Sequence, residues 1–251
     1  MNTLFDGRAG DYAAGRPGYA PALIDCLYNR YGLSAASVIA DIGSGTGKFA
    51  AQLLERGSTV YCVEPNDDMR RKAAEILDGY PNFHPVNGDA ENTCLDDGCA
   101  EYITSAQAFH WFDGEKFARE CARILKKDGS VILVWNVRDM GDSLNRELYD
   151  IYRRYCPRFV GFSGGIEKDD IRIKNFFGGV YDHVSFDHPL VYDRERFVSR
   201  SLSGSYSLKS GDRDYDEYIA ALTEVFAKYE NNGTVVMANR SDAYIGRPAM
   251  I

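Results

Sequence analysis

Residues 37–57 read SVIADIGSGTGKFAAQLLERG, and this stretch decides the fold. It begins as a short apolar run typical of a buried parallel strand, passes through a glycine-rich turn, and continues with apolar residues at helical spacing up to Gly57. The glycines let the backbone turn sharply and approach a ligand where a Cβ atom would clash. The stretch therefore predicts a strand, a ligand-binding turn and a helix in immediate succession.

The same strand and helix rhythm continues as far as Val137. Further strands are predicted at 58–65, 82–89, 100–109 and 130–137, with helices at 67–79 and 113–129. Upstream, Pro21 opens a predicted helix that stops before Gly32. Alternation of this kind is typical of a doubly wound, mostly parallel α/β sheet with helices on both faces.

The chain from Arg138 onward is less regular. It predicts a helix around 144–155, a late strand over 181–193, an amphipathic helix over 214–233 and a final strand over 234–246. The 251 residues favour one large domain with a cap rather than two domains. We expect residues 33–137 to form the ligand-binding core, with residues 1–32, 138–180 and 195–215 capping the strand ends.

The glycine turn excludes two common nucleotide-binding patterns. Counted from Gly43, the sixth position is Lys48 instead of glycine, so the dinucleotide pattern GxGxxG fails. Lys48 is followed by Phe49 instead of serine or threonine, so the P-loop pattern fails as well. Asp41, at the end of the predicted strand, would repel a pyrophosphate and attract an ammonium group. The turn therefore suits a cationic nucleoside that carries an amino acid.

Two further acids stand at the ends of the next predicted strands. Glu64 ends the second predicted strand, where a carboxylate can accept hydrogen bonds from both ribose hydroxyls. The alternative is a solvated acid that begins a helix. Asp89, in NGDAE, is placed to meet an adenine amino group, although Asn-Gly-Asp is also ordinary turn chemistry.

These motifs resemble those of the class I S-adenosylmethionine-dependent methyltransferases. DIGSGTGKF resembles motif I of that superfamily, VEP with Met69 resembles its ribose-binding acid, and GDAE resembles its adenine-contacting turn. The stretches at 12–24, 105–113 and 199–206 are similar, more narrowly, to the small-molecule group that includes trans-aconitate methyltransferases. The resemblance implies a Rossmann-like, seven-stranded sheet with an α-helical cap, S-adenosylmethionine as cofactor and S-adenosylhomocysteine as product.

The resemblance also implies which residues bind the cofactor. In related enzymes an arginine near the N-terminus meets the cofactor carboxylate, and Arg16 matches it here, although Arg16 could instead pair with an acidic substrate. Ala90 is expected against adenine, and Gln107 or Ala108 below the methionine portion. The expected set is Arg16, Asp41, Gly43, Ser44, Gly45, Thr46, Gly47, Glu64, Pro65, Met69, Asp89, Ala90, Gln107 and Ala108.

Methyl transfer from such a cofactor to an acceptor depends mainly on positioning and desolvation, and it needs no metal. A carboxylate acceptor needs no general base, whereas a hydroxyl, amine or carbon acid must lose a proton. His110 follows the fourth predicted strand and, with an ordinary pKa of about 6.5, is a candidate base. Tyr12 and Tyr206 are candidates to close over the substrate. A pocket-wall role for His110 with Trp111, and packing roles for the tyrosines, are the alternatives.

Composition limits the partners. The 37 acidic against 29 basic residues give a net charge of −8, which disfavours nucleic acid, and no apolar run reaches the roughly 18 residues of a membrane span. Six cysteines without a CxxC pair and an N-terminus without a signal pattern favour the cytoplasm. We expect a monomer or homodimer that methylates a small, carboxylate-bearing molecule. A non-catalytic S-adenosylmethionine-binding regulator and, less favoured, an NAD-dependent oxidoreductase are the alternatives.

Overall fold

The computed structural model describes residues 17–166 and 170–249, so Tyr12 and Arg16 lie outside the described residues. Two short 3-10 helices occupy Phe109–Trp111 and Phe162–Gly165. The other described elements, in chain order, are α1 (Pro21–Arg30), β1 (Val38–Ile42), α2 (Lys48–Leu54), β2 (Thr59–Val63), α3 (Asp67–Leu77), β3 (Phe83–Val86), β4 (Ala100–Ala106), α4 (Gly114–Ile124), β5 (Leu125–Arg138), α5 (Ser143–Tyr155), α6 (Ile171–Phe176), β6 (Tyr181–Asp187), β7 (Leu190–Asp193), α7 (Arg194–Leu202), α8 (Tyr215–Tyr229), β8 (Thr234–Met237) and β9 (Asn239–Gly246).

The central feature is a seven-stranded sheet with the order β3-β2-β1-β4-β5-β9-β6. β1 to β5 pair in parallel, and β9 is inserted antiparallel between β5 and β6. The predicted doubly wound, mostly parallel seven-stranded sheet is therefore confirmed. The strand order reverses between β1 and β4, and in sheets of this kind a ligand binds outside the carboxyl ends of the strands at that reversal.

Two apolar clusters cover the two faces of this sheet. On one face, α4 and α6 contribute Phe117 and Phe176 against Trp135 of β5. On the other face, α1 and α2 contribute Leu23 and Leu53. Helices on both faces explain why consecutive residues are buried in the central strands, Ile39 to Ile42 in β1 and Val131 to Trp135 in β5, instead of alternating with exposed ones.

A third apolar cluster lies apart from the sheet and forms the core of the cap. It joins α5, α7, α8 and the two-stranded antiparallel sheet of β7 and β8 through side chains such as Tyr152, Phe197, Leu222 and Val235. The cap thus draws on residues beyond 138–180 and 195–215, because α8 and β8 belong to it. Within 138–180, α6 packs on the main core instead.

Three predicted boundaries are wrong. The late strand at 181–193 is two strands in different sheets, interrupted before Pro189, whose ring nitrogen has no hydrogen to donate. The final strand likewise divides at Ala238 into β8 and β9. The helix predicted over 113–129 ends at Ile124, because Leu125 already pairs with Ala100 of β4.

A search of the described residues for an apolar helix of membrane-spanning length found none.

Candidate active site

The glycine turn joins β1 to α2 at the carboxyl edge of the sheet. Gly43, Gly45 and Gly47 have positive φ angles of 68°, 57° and 79°, which side chains rarely tolerate. A Cβ atom on Gly43 would lie 2.7 Å from the Cβ of Ala108, and one on Gly47 would lie 2.5 Å from Leu77 Cδ1. The fold itself therefore requires Gly43 and Gly47, and the turn keeps its backbone close to the neighbouring strand ends.

A cleft with an empty volume of about 790 Å³, open solvent included, lies above this turn. Nine of the expected cofactor residues line it: Gly43, Ser44, Gly45, Thr46, Glu64, Pro65, Met69, Gln107 and Ala108. The remaining lining residues are Tyr19, Lys48, Phe49, Asn66, Ala106, Trp111 and Phe112. We call this space the cofactor cleft.

Glu64 connects the turn to the start of α3. Its Oε2 accepts a hydrogen bond from the Gly45 N–H at 2.9 Å, and its Oε1 accepts one from the Asn66 N–H at 2.9 Å. The side chain is only 9% exposed, and burial raises the pKa of Glu64. A carboxylate offers about four acceptor positions, so two backbone bonds leave capacity for a ligand's hydroxyl groups. The geometry is compatible with the expected ribose-binding role, which stays a prediction.

Asp41 lies beneath the cleft and does not line it. It is 1% exposed, its Oδ1 accepts a 2.7 Å hydrogen bond from the Thr104 hydroxyl, and its Oδ2 has no partner among the described residues. Burial raises the pKa of Asp41 to about 7, assisted by the charge of Glu64 and opposed by the Thr104 hydrogen bond. An ionised Asp41 therefore destabilises the empty protein and favours a cation placed above it.

This burial has a measurable consequence for stability. The folded-state pKa of Asp41 lies above its ordinary value, so the folded state retains a proton that the unfolded state loses, and stability falls as pH rises towards 7. Asp41→Asn should therefore stabilise the cofactor-free protein, and the gain should grow by about 2 kcal/mol between about pH 5.5 and about pH 8. Urea unfolding at both pH values measures it. Asp128→Asn, which removes an exposed acid on β5, is the control and should show no such growth.

Asp89 and Ala90 lie at the end of β3 but do not line the described cleft. The Asp89 Oδ1 accepts hydrogen bonds from the N–H groups of Glu91 and Asn92 at 3.0 and 2.8 Å, which is the turn chemistry considered as the alternative. Ala90 is buried in the main core. Their contacts with adenine stay predictions, as does the role of Arg16.

A second cavity, with an empty volume of about 820 Å³, adjoins the cofactor cleft, because Gln107 and Trp111 line both. Gln107 is held at a positive φ of 59°, and its Nε2 donates to the Asn136 carbonyl at 3.0 Å. The other lining residues are His110, Asn136, Arg138, Arg158, Val160, Gly161, Phe162, Ser163, Arg200, Ser205, Tyr206 and Asn239. This arginine cavity is formed between the sheet edge and the cap.

Arg138, the last residue of β5, is the most unusual of these. It is 8% exposed, and its buried Nη1 has no hydrogen-bond partner among the described residues, where it also forms no ion pair. Its guanidinium carbon lies 4.3 Å from the centre of the Phe162 ring and 5.8 Å from that of Tyr152. Stacking on aromatic rings holds the guanidinium in place but does not satisfy its hydrogen-bond donors. The buried positive charge is therefore suited to a negatively charged ligand.

Sequence reasoning missed these arginines because no motif marks them. Arg138, Arg158 and Arg200 lie on a strand end, a loop and α7, and only the folded cap brings them together. Lys48 was also missed as a cleft residue, although its place directly after the glycine turn was a usable signal. His110 and Tyr206, by contrast, were singled out, and both line the arginine cavity.

The cleft fits the cofactor that the resemblance implies. It combines buried acids at its base, an unpartnered and 1% exposed Thr46 hydroxyl, and apolar walls that include Met69 and Phe112. Those features suit a nucleoside joined to a sulfonium and an amino acid, because the acids complement the cationic groups and the apolar walls accommodate the rings. The residues that would hold the cofactor are therefore the nine expected residues of the cleft together with Lys48.

Comparisons with known proteins point to one family. Residues 40–133 match the family described as methyltransferase domain. An uncharacterised methyltransferase of Mycobacterium tuberculosis (strain ATCC 25618 / H37Rv) is 34% identical over 183 residues, which cover 73% of this chain and 69% of that protein. A methyltransferase-like protein of Schizosaccharomyces pombe is 31% identical over 160 residues, covering 61% and 60% of the two chains.

Solved structures of other proteins share this fold. A solved structure of a proposed type II methyltransferase from Anaeromyxobacter dehalogenans matches with a TM-score of 0.64 over 92% of this chain and 97% of that chain, at 20% identity. A relationship to methyltransferases decides against the nicotinamide-dependent oxidoreductase. The chain belongs to the S-adenosylmethionine-dependent methyltransferases, an enzyme family whose cofactor is S-adenosylmethionine.

Proposed function

We propose that this enzyme transfers a methyl group to a small acceptor that carries a carboxylate. The observation that carries the proposal is Arg138, a buried guanidinium without a counter-charge in the cavity beside the cofactor cleft. Planar guanidinium groups bind carboxylates in two-point geometry, and the hydrogen bonds are stronger in a desolvated site.

The rest of the arginine cavity supports an anionic occupant. Arg158 and Arg200 also line it, and no aspartate or glutamate does among the described residues. A cavity lined by one sign of charge concentrates ligands of the opposite sign, even in a protein of net charge −8. An acceptor about the size of the cavity is favoured over a protein or a nucleic acid, because the cap covers the cavity from the side opposite the sheet.

The reaction depends mainly on how the methyl donor and the acceptor are positioned relative to each other. Bound S-adenosylmethionine supplies a methyl group that its sulfonium has already activated. Gln107 and Trp111 form the wall between cleft and cavity, so they define where donor and acceptor meet. Arg138 would hold the acceptor's anionic end and orient the atom that is methylated, and the aromatic cap residues around it would exclude water.

His110 remains a candidate base for acceptors that must lose a proton. It lines the arginine cavity, and the centre of its ring lies 4.9 Å from that of the tilted Trp111 ring. If the carboxylate itself is methylated, no base is required and His110 forms part of the wall. The catalytic role of Tyr12 stays a prediction because that residue lies outside the described residues.

A charge-matched acceptor screen tests this proposal. Methyl transfer from radiolabelled S-adenosylmethionine is measured with small carboxylic acids and with the primary amide of each acid. We expect turnover with some of the acids and at least about a hundredfold less with the matching amides, because a buried arginine left without a charged partner costs several kcal/mol. Equal turnover of acids and amides would contradict a carboxylate-binding role.

The composition of the chain supports a cytoplasmic location for the reaction. All six cysteines are free thiols, which suits the reducing cytoplasm. The acidic net charge supports an acceptor other than nucleic acid. The expectation of a monomer or homodimer stays a prediction.

A further inference from the structure

Lys48 is a cation in the cofactor cleft for which the expected binding set has no role. It is the first residue of α2, directly after Gly47, and it is half-buried. Burial lowers the pKa of Lys48, and the ammonium forms no hydrogen bond or ion pair with the described residues. Lysine side chains at a surface normally reach water or an acid, so a partly desolvated lysine that lines a cleft without an acidic partner is suited to an anion supplied by a ligand.

A second unpartnered group comes two residues earlier in the chain. The Thr46 hydroxyl lines the same cleft, is 1% exposed, and has no hydrogen-bond partner among the described residues. Buried hydroxyls are nearly always hydrogen-bonded in the functional state of a protein. Thr46 and Lys48, on either side of Gly47, therefore bring a hydroxyl donor and a charge to the lining of the same cleft.

The cofactor has one anionic group, the carboxylate of its methionine portion. Among the described residues that line the cleft, Lys48 is the only cationic side chain, and the acids Glu64 and Asp41 at its base repel a carboxylate. We propose that Lys48, assisted by the Thr46 hydroxyl, binds the carboxylate of S-adenosylmethionine. This assigns to α2 a role that the family resemblance gives to Arg16.

Calorimetric binding of two ligands separates this role from a general effect on the cleft. S-adenosylmethionine carries the carboxylate, whereas decarboxylated S-adenosylmethionine lacks it and is otherwise the same. Lys48→Met should weaken binding of S-adenosylmethionine by about tenfold or more, since hydrogen bonds to charged groups are the strong ones. Binding of the decarboxylated ligand should be unchanged or tighter. Lys48→Arg should restore most of the affinity for S-adenosylmethionine.

Two further variants keep the test decisive. Lys72→Met removes a partly exposed lysine of α3 that pairs with Glu75 outside the cleft, and it should bind both ligands as the wild type does. Thr46→Val should weaken S-adenosylmethionine by about fivefold, the usual effect of one lost hydrogen bond, and spare the decarboxylated ligand. Equal losses for both ligands in Lys48→Met, or no loss for either, would overturn the proposal. If Lys48→Met does not fold, Thr46→Val alone decides by the same comparison.

Discussion

Arg138→Met should lower kcat/KM for the carboxylate acceptor by at least about 30-fold while leaving the affinity for S-adenosylmethionine unchanged. Truncating one partner of a buried charge pair typically costs about 2 kcal/mol or more, and Arg138 lines the arginine cavity but not the cofactor cleft. The same change should leave the free energy of unfolding unchanged or raise it, because an unpartnered buried guanidinium is replaced by an apolar side chain. Steady-state kinetics and urea unfolding measure the two effects.

Opposite effects on activity and stability would identify Arg138 as a binding residue, since a purely structural residue would lose both together. Arg138→Lys should rescue activity only in part, because lysine keeps the charge but loses the planar fork. Arg196→Met, on the exposed side of α7 next to Asp193, is the matched control and should change neither quantity. An Arg138→Met enzyme with normal kcat/KM would refute the anion-binding role.

Glu64→Ala should weaken S-adenosylmethionine binding by about a hundredfold or more. The variant loses the acceptors proposed for the ribose hydroxyls, and it also releases the N–H groups of Gly45 and Asn66, which hold the turn in shape. Each hydrogen bond to a charged group is worth about 1.5 to 3 kcal/mol, so two of them account for a loss of this size. Calorimetric titration measures it, with S-adenosylhomocysteine as a second ligand that should lose affinity in parallel.

A matched control is available at the other end of the sheet. Glu101 also accepts a backbone hydrogen bond, from the Val38 N–H at 3.0 Å, but it lies outside the cofactor cleft. Glu101→Ala should therefore bind the cofactor normally even if it lowers stability. If Glu64→Ala remains folded and binds as tightly as the wild type, Glu64 does not bind the ribose.

The cofactor cleft could be predicted from the sequence because its chemistry is local. Gly43 to Gly47 form one turn, and Glu64 ends the adjacent strand, so strand order alone brings them together. The turn's glycines are required by φ angles and close contacts that any sequence with this fold must satisfy. Lys48 was equally local, but it served only to exclude the P-loop, and its burial was visible only in three dimensions.

The arginine cavity could not be predicted because it depends on tertiary contacts of the cap. Arg138 and Arg200 are separated by two helices and two strands, and neither lies in a recognisable motif. The predicted boundaries of the late strands were wrong for a related reason. Alternation of apolar and polar residues is the same on both sides of Pro189, whereas the choice between the main sheet and the two-stranded sheet depends on the partner strands β9 and β8.

A crystal structure with S-adenosylhomocysteine bound tests the arrangement of donor and acceptor sites most directly. We expect the ribose against Glu64 and the sulfur at the wall formed by Gln107 and Trp111, facing the cavity that holds Arg138. That placement would put the transferred methyl group within reach of an acceptor held by the arginine. A sulfur that faces away from this cavity, or a product bound outside the cleft, would contradict methyl transfer to an acceptor in the arginine cavity.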